Sequence, residues 1–259
     1  MCAEIQAPGK KHDTTAFSLP DAYQDPSIIK LLKQAFAQQR YVSLPQLFTG
    51  KALRKLKSEF RRLERFAEQR NFTMPGYETA RMMTTIGGRI IRQKSTFLSQ
   101  LYSNQDLRTL LAQVAQAPLF DCHDENEWAV GTVLRALGNT HGWHLDDPPL
   151  ALVIFLESPP PDKGGMVEFI SDWPRLCVEI GVDPQKLVEP TVDMCRTVGL
   201  VHSRHHSAGD AYVLHAGESL HRVMPLTAAG ARRAILNFAF ELEPEVKRES
   251  VTAKLLFEG

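Results

Sequence analysis

Thr140-His141-Gly142-Trp143-His144-Leu145-Asp146-Asp147 is the stretch on which the fold turns. His144 and Asp146 stand two apart, so on a β-strand both side chains point to the same side. One rigid strand can then present an imidazole and a carboxylate to a single metal ion. Far downstream, His221-Arg222-Val223 supplies a further imidazole. To meet the first two groups, His221 must lie on a distant strand that folds back beside theirs. Two imidazoles and one carboxylate fill one face of an octahedral ion and leave three positions open, the facial arrangement of non-heme iron.

A lone His-x-Asp recurs by chance, so its surroundings decide. Leu150 to Leu156 is an apolar run of strand length. Pro159-Pro160-Pro161-Asp162-Lys163-Gly164-Gly165 reads as a turn, and Met166 to Ile170 as the returning strand. The distal part opens with Gly209-Asp210 and the strand Ala211 to Leu214; Arg233 to Phe240 is a last apolar strand. Hairpins in this order are the ingredients of a jelly roll. His215 also follows Gly209-Asp210 and rivals His221; His221 is preferred because of its distance from Arg232. The cluster His202, His205 and His206 matches no defensible ligand spacing and reads as a loop or strand edge.

From about Asp121 to Leu242 the chain resembles the Fe(II)/2-oxoglutarate-dependent oxygenases. The resemblance implies a metal site of His144, Asp146 and His221, with O2 and 2-oxoglutarate as co-reactants. In that superfamily a basic residue about ten positions after the second histidine grips the distal carboxylate of 2-oxoglutarate. A guanidinium suits this task, because it forks onto a carboxylate with two charge-assisted hydrogen bonds. Arg232 and Arg233 are adjacent, so only one can enter the barrel. The superfamily spacing favours Arg232, with Arg233 facing out.

Thirty basic and thirty acidic residues cancel, which argues against nucleic acid as a partner. With 43% hydrophobic residues the chain can bury a sizeable core. Cys2, Cys122, Cys177 and Cys195 show no zinc-like or paired spacing, and free thiols fit a reducing cytoplasm. No signal peptide and no apolar run of membrane-spanning length is evident.

The expected class is α+β: a double-stranded β-helix (jelly-roll, cupin-like) core buttressed by N-terminal helices. Residues 1–24 read as a flexible or draped arm, and 25–259 as a single domain. Its helical part spans about 25–118 and its jelly-roll core about 119–245. Within the helical part, Pro26 to Gln39 carries a helical stripe, and Tyr41 to Leu44 is strand-like. Thr49 is placed to cap a long helix running to about Arg70, whose charged side is most simply solvated. Tyr77 to Ile91 is strand-like, broken at Gly87-Gly88, and Ser95 to Gln116 is helical.

Within the superfamily, His141-Gly142-Trp143-His144-Leu145-Asp146-Asp147 resembles the BesD-type halogenases of free amino acids and their hydroxylating relatives. That resemblance implies that His141 and Asp147 contact an amino-acid substrate, Arg81 its carboxylate and Glu127 an ammonium group. Asn237 matches a polar position of the substrate pocket. Ala239 departs from the pattern, where the lysine enzyme carries a hydroxyl residue, so side-chain specificity is open. In the halogenases a small residue replaces the carboxylate ligand and leaves room for chloride. Asp146 is retained here, which implies hydroxylation. The expected activity is therefore hydroxylation of a free amino acid, such as the basic amino acid lysine. The alternatives are an oxygenase acting on a peptide or protein residue, and a non-enzymatic cupin-like metal-binding protein.

Overall fold

The computed structural model describes residues 17–246 and 251–257. Its elements are α1 (Pro26–Gln39), β1 (Tyr41–Leu44), α2 (Gly50–Leu63), β2 (Glu68–Met74), β3 (Thr79–Ile86), α3 (Gly88–Lys94), α4 (Thr96–Tyr102) and α5 (Gln105–Ala115). The core follows with β4 (Phe120–Asp121), β5 (Ala129–Leu134), β6 (Thr140–His144), β7 (Leu150–Glu157) and β8 (Val167–Ile170). Then come α6 (Trp173–Ile180), α7 (Val188–Thr197), β9 (His202–Arg204), β10 (Ala211–His215), β11 (Leu220–Val223), β12 (Arg233–Glu241) and α8 (Val251–Phe257). The strands form one curled antiparallel sheet in the order β1-β10-β7-β12-β5-β3-β6-β11-β8-β9, with β2 on β3 and β4 on β12. This is the expected double-stranded β-helix with helices against one face.

Alternation along the strands creates two separate cores. On β7, Leu150, Leu152, Ile154 and Leu156 face the helices, where they join Phe60 of α2, Leu101 of α4 and Leu111 of α5. The intervening Ala151, Val153 and Phe155 face the barrel interior with Tyr212, Leu214, Phe169 and Ile235. A period of two explains how one strand serves both cores.

α1 starts and stops where local chemistry dictates. Asp25 accepts from the Ser27 amide at 2.8 Å, Pro26 occupies the first turn, and Arg40 ends the helix in the left-handed region at φ 53°. Three expectations need correction. The helix after Thr49 ends at Leu63, and residues 68–74 pair as β2 with β3 instead. Ser95 to Gln116 is two helices, because Asn104 accepts from the Leu107 amide and starts α5 anew. Gly88 to Lys94 is a helix, with only Thr79 to Ile86 extended. The strand-like stretch expected within the helical part is thus β3, which lies between β5 and β6 in the middle of the sheet. Of the expected arm, residues 1–16 lie outside the described residues; Leu19 and Tyr23 are packed in the helix-facing core.

Candidate active site

The register of β6 against β11 assembles the metal site. His221 is directly opposite His144, and their ring centroids lie 4.1 Å apart. Asp146 follows β6, its amide donating to Ala216 O at 3.0 Å. Its Oδ1 stands 3.4 Å from His144 Nε2 and 3.7 Å from His221 Nε2. One donor atom from each of the three residues lies within 4.8 Å of the others. His144 Nδ1 hydrogen-bonds Gly142 O at 2.7 Å, and His221 Nδ1 hydrogen-bonds Ser219 O at 2.9 Å. A carbonyl can only accept, so each Nδ1 carries the proton and each Nε2 lone pair is left for a metal ion. Burial holds His144 well below the usual histidine range and raises Asp146, the nearby His221 opposing the latter. Two neutral imidazoles and a carboxylate are the donor set that Fe(II) takes. His215 stays outside this group; its Nδ1 lies 3.7 Å from Glu218.

His141 is three residues before His144, a spacing that on a regular strand would send it to the opposite face. A β-bulge corrects this: β11 advances from His221 to Val223 while β6 goes back from His144 to His141. Both rings therefore share one side, stacked with centroids 3.9 Å apart. Gly142 within the bulge is needed for close approach. A Cβ there would stand 2.8 Å from Thr79 Cβ and 2.9 Å from Ala80 O.

The cavity around these histidines is lined by Glu127, His141, Asp147 and Asn237, four of the expected substrate residues. Arg81 is paired in register with His141 and 0% exposed. Its guanidinium bonds Thr79 Oγ1 at 3.0 Å and the carbonyls of Thr79, Ala80 and Gly142, and its Nε has no partner. Among the described residues no carboxylate lies within salt-bridge distance of it, and burial brings its pKa down to about 10, with Asp146 and Tyr77 opposing the fall.

Arg232 does not enter the barrel, which corrects the expectation from superfamily spacing. It lies on the outer side, where its Nε bonds Glu157 at 2.9 Å and its Nη2 bonds Glu64. Arg233 lines the cavity instead, 2% exposed, over the Phe155 ring at 5.0 Å. Its Nε is unpartnered, no carboxylate among the described residues pairs with it, and burial brings its pKa down to about 10. The physical reason is parity. β12 pairs regularly with β5 from Arg233 to Phe238, so Arg233, Ile235 and Asn237 share the inner face.

Sequence reasoning also missed Tyr212 on β10 and the α8 residues Thr252, Leu256 and Phe257, all of which line the cavity. The alternation of β10 carried a signal for Tyr212. Nothing local marked α8, whose position is set by contact with Met83, Leu134 and Val223.

A family model described as halogenase D matches residues 24–257. The chain belongs to the halogenase D family. No curated protein sequence matches it. Among solved structures, the epimerase SnoN in complex with Fe3+, alpha ketoglutarate and nogalamycin RO aligns with a TM-score of 0.63. Its identity is 16%, over 89% of this chain and 90% of its own. The carbocyclase SnoK from nogalamycin biosynthesis aligns with a TM-score of 0.62 at 13% identity, covering 86% and 88%. A Pseudomonas putida prolyl-4-hydroxylase aligns with a TM-score of 0.54 at 19% identity, covering 83% and 99%. At these identities the likeness to solved structures is one of fold. The fold is that of these alpha ketoglutarate-dependent proteins, and His144, Asp146 and His221 form a possible metal site on it. Among the described residues no helix is long and apolar enough to cross a membrane.

Proposed function

We propose that the protein hydroxylates an aliphatic C–H bond of a free amino acid, such as the basic amino acid lysine. O2 and 2-oxoglutarate are consumed, and succinate and CO2 are released. The observation that carries this reading is the pair of buried guanidiniums, Arg81 and Arg233: among the described residues neither has a carboxylate within salt-bridge distance, and only Asp146 acts on Arg81 from farther away. A buried charge without a counterion is costly, so each is a place for an incoming anion. Arg233 takes the distal carboxylate of 2-oxoglutarate, and Arg81 the substrate carboxylate beside His141. Asp147 and Glu127 on the wall take ammonium groups. Asn237 Oδ1, a buried acceptor with no partner, takes a further N–H. A zwitterion needs this combination of opposite charges.

His144, Asp146 and His221 would hold Fe(II), which would supply the O2-dependent oxidation of the C–H bond. The protein's residues decide which carbon is offered and keep water away. Leu256 and Phe257 of α8 present apolar surface to the cavity, and Val153, Leu214 and Ile235 line it from the strands. With Fe(II) bound, Asp146 would occupy the position that a halide needs, so oxygen rather than halogen would be transferred. The buried thiols of Cys122, Cys177 and Cys195 are free, in keeping with a reducing cytoplasm.

The test is to reconstitute the protein anaerobically with Fe(II) and 2-oxoglutarate, add a free amino-acid panel and admit O2. One member should gain the mass of one oxygen with matching succinate, and Arg81→Gln should abolish that coupling. Coupling only to peptides with blocked termini would overturn the free amino acid reading.

A further inference from the structure

His206 belongs to the polar cluster of the β9 loop, yet it is 4% exposed and is buried against the barrel interior. Its Nε2 and the Tyr41 hydroxyl are hydrogen-bonded at 2.6 Å. Tyr41 also bonds Ser43 Oγ at 3.0 Å and stacks on Phe169 with centroids 4.4 Å apart. The His206 ring stacks on Phe155 at 4.6 Å and lies 5.3 Å from Tyr212. Phe155 is the ring over which the Arg233 guanidinium sits, and Tyr212 lines the cavity beside Arg233. β1 and the loop after β9 come from opposite ends of the sheet order, so this one hydrogen bond joins the two edges of the barrel beneath Arg233.

We infer that the His206–Tyr41 pair is a positioning element for the 2-oxoglutarate site, fixing Phe155 and Tyr212 and through them the orientation of Arg233. This inference rests on the reading of Arg233 as the carboxylate anchor. Neither His206 nor Tyr41 lines the cavity, so neither touches the cosubstrate. Arg233 has no hydrogen-bonding side chain to hold its guanidinium; its described contact is the Phe155 face. A cation held only by a ring follows that ring. The Phe155 plane is set by His206, and His206 in turn by Tyr41. Burial keeps the His206 imidazole neutral, its pKa brought down to about 4, so it serves as a hydrogen-bonding flat surface and not as a second charge.

The other side of the substrate pocket is remote from this pair: His141 is on β6 and Asp147 follows that strand, whereas Asn237 shares β12 with Arg233. Loosening the floor should therefore raise the 2-oxoglutarate requirement and leave the other reactant alone. A general structural defect would not separate them.

The experiment compares Tyr41→Phe, which removes one hydroxyl, with His206→Phe and His206→Gln. Each Fe(II)-loaded protein is titrated anaerobically with 2-oxoglutarate, following the metal-to-ligand charge-transfer absorbance. KM for 2-oxoglutarate and for the panel substrate is then measured separately. Tyr41→Phe and His206→Phe should weaken 2-oxoglutarate binding about tenfold, the scale of one lost buried hydrogen bond. KM for the panel substrate should change less than about twofold, and His206→Gln, which keeps a partner for Tyr41, should recover part of the loss. Unchanged 2-oxoglutarate affinity in Tyr41→Phe, or equal losses for both reactants, overturns the inference. Arg233→Gln serves as the control. If it weakens 2-oxoglutarate binding and Tyr41→Phe does not, the positioning inference alone fails. If Arg233→Gln has no effect, the anchor reading fails and the inference with it.

Discussion

Arg233→Gln isolates the cosubstrate anchor. In the folded protein the Arg233 guanidinium is buried, lies over Phe155 and has no carboxylate partner among the described residues. Removing one member of a buried charge pair costs about 3–5 kcal/mol, because the remaining charge stays buried and uncompensated. At 1.36 kcal/mol per tenfold, that is roughly two to nearly four orders of magnitude in 2-oxoglutarate affinity. Arg232→Gln instead removes partly exposed contacts to Glu64 and Glu157, with 29% of the Arg232 side chain accessible. Such pairs are worth about 0.2–1 kcal/mol of stability and nothing for the ligand. The assay is anaerobic titration of the Fe(II)-loaded variants with 2-oxoglutarate, combined with thermal unfolding. Wild-type protein at about 100 times Kd should gain about 2.7 kcal/mol from the ligand. Arg233→Gln should lose that gain while keeping, or improving, its stability without ligand, since an unpaired buried charge has gone. A larger loss of 2-oxoglutarate affinity in Arg232→Gln than in Arg233→Gln would refute the assignment.

Other perturbations separate the parts of the site. His144→Ala and His221→Ala should each abolish tight Fe(II) binding by equilibrium dialysis, whereas His215→Ala should retain it. Gly142→Ala should cost about 1–3 kcal/mol in chemical denaturation, because its Cβ would press on Thr79 and the Ala80 backbone, and should weaken Fe(II) retention. His206 is depressed to about 4 from an ordinary 6.5, so its neutral form is favoured by folding. Its contribution is fully present above pH 6.5 and is lost as pH falls toward 4. Unfolding measured across that window should show up to about 3 kcal/mol of loss in wild type that His206→Gln lacks.

The metal site was legible because its signal is local and periodic. His144 and Asp146 are two apart, and the apolar run ending in Leu156 marks the next strand along the chain, β7. His221 was separable from His215 by spacing, and the register β6–β11 brings it opposite His144. Arg233 was also within reach. Asn237 was expected to face inward, and the same parity on one strand carries Arg233 inward with it. Family spacing outweighed that alternation and led to Arg232. His141 required a bulge, which the β6–β11 register reveals and which Gly142 accommodates against Thr79 and Ala80. His206 read as a loop polar residue because its partners, Tyr41 and Phe155, are brought to it only by the closing of the barrel. The short helix α8 depends on the same kind of long-range contact, with Arg70 Nε donating to Leu256 O at 2.6 Å.

The central claim is oxygen transfer to a free amino acid by a halogenase D family member that keeps its carboxylate ligand. Mass spectrometry of products formed by the wild-type protein in chloride buffer, under 18O2, tests it most directly. The account predicts one labelled oxygen in the amino acid, one in succinate and no carbon-bound chlorine. A chlorinated product from the unmutated protein would contradict it, even with His144, Asp146 and His221 confirmed as the ligands.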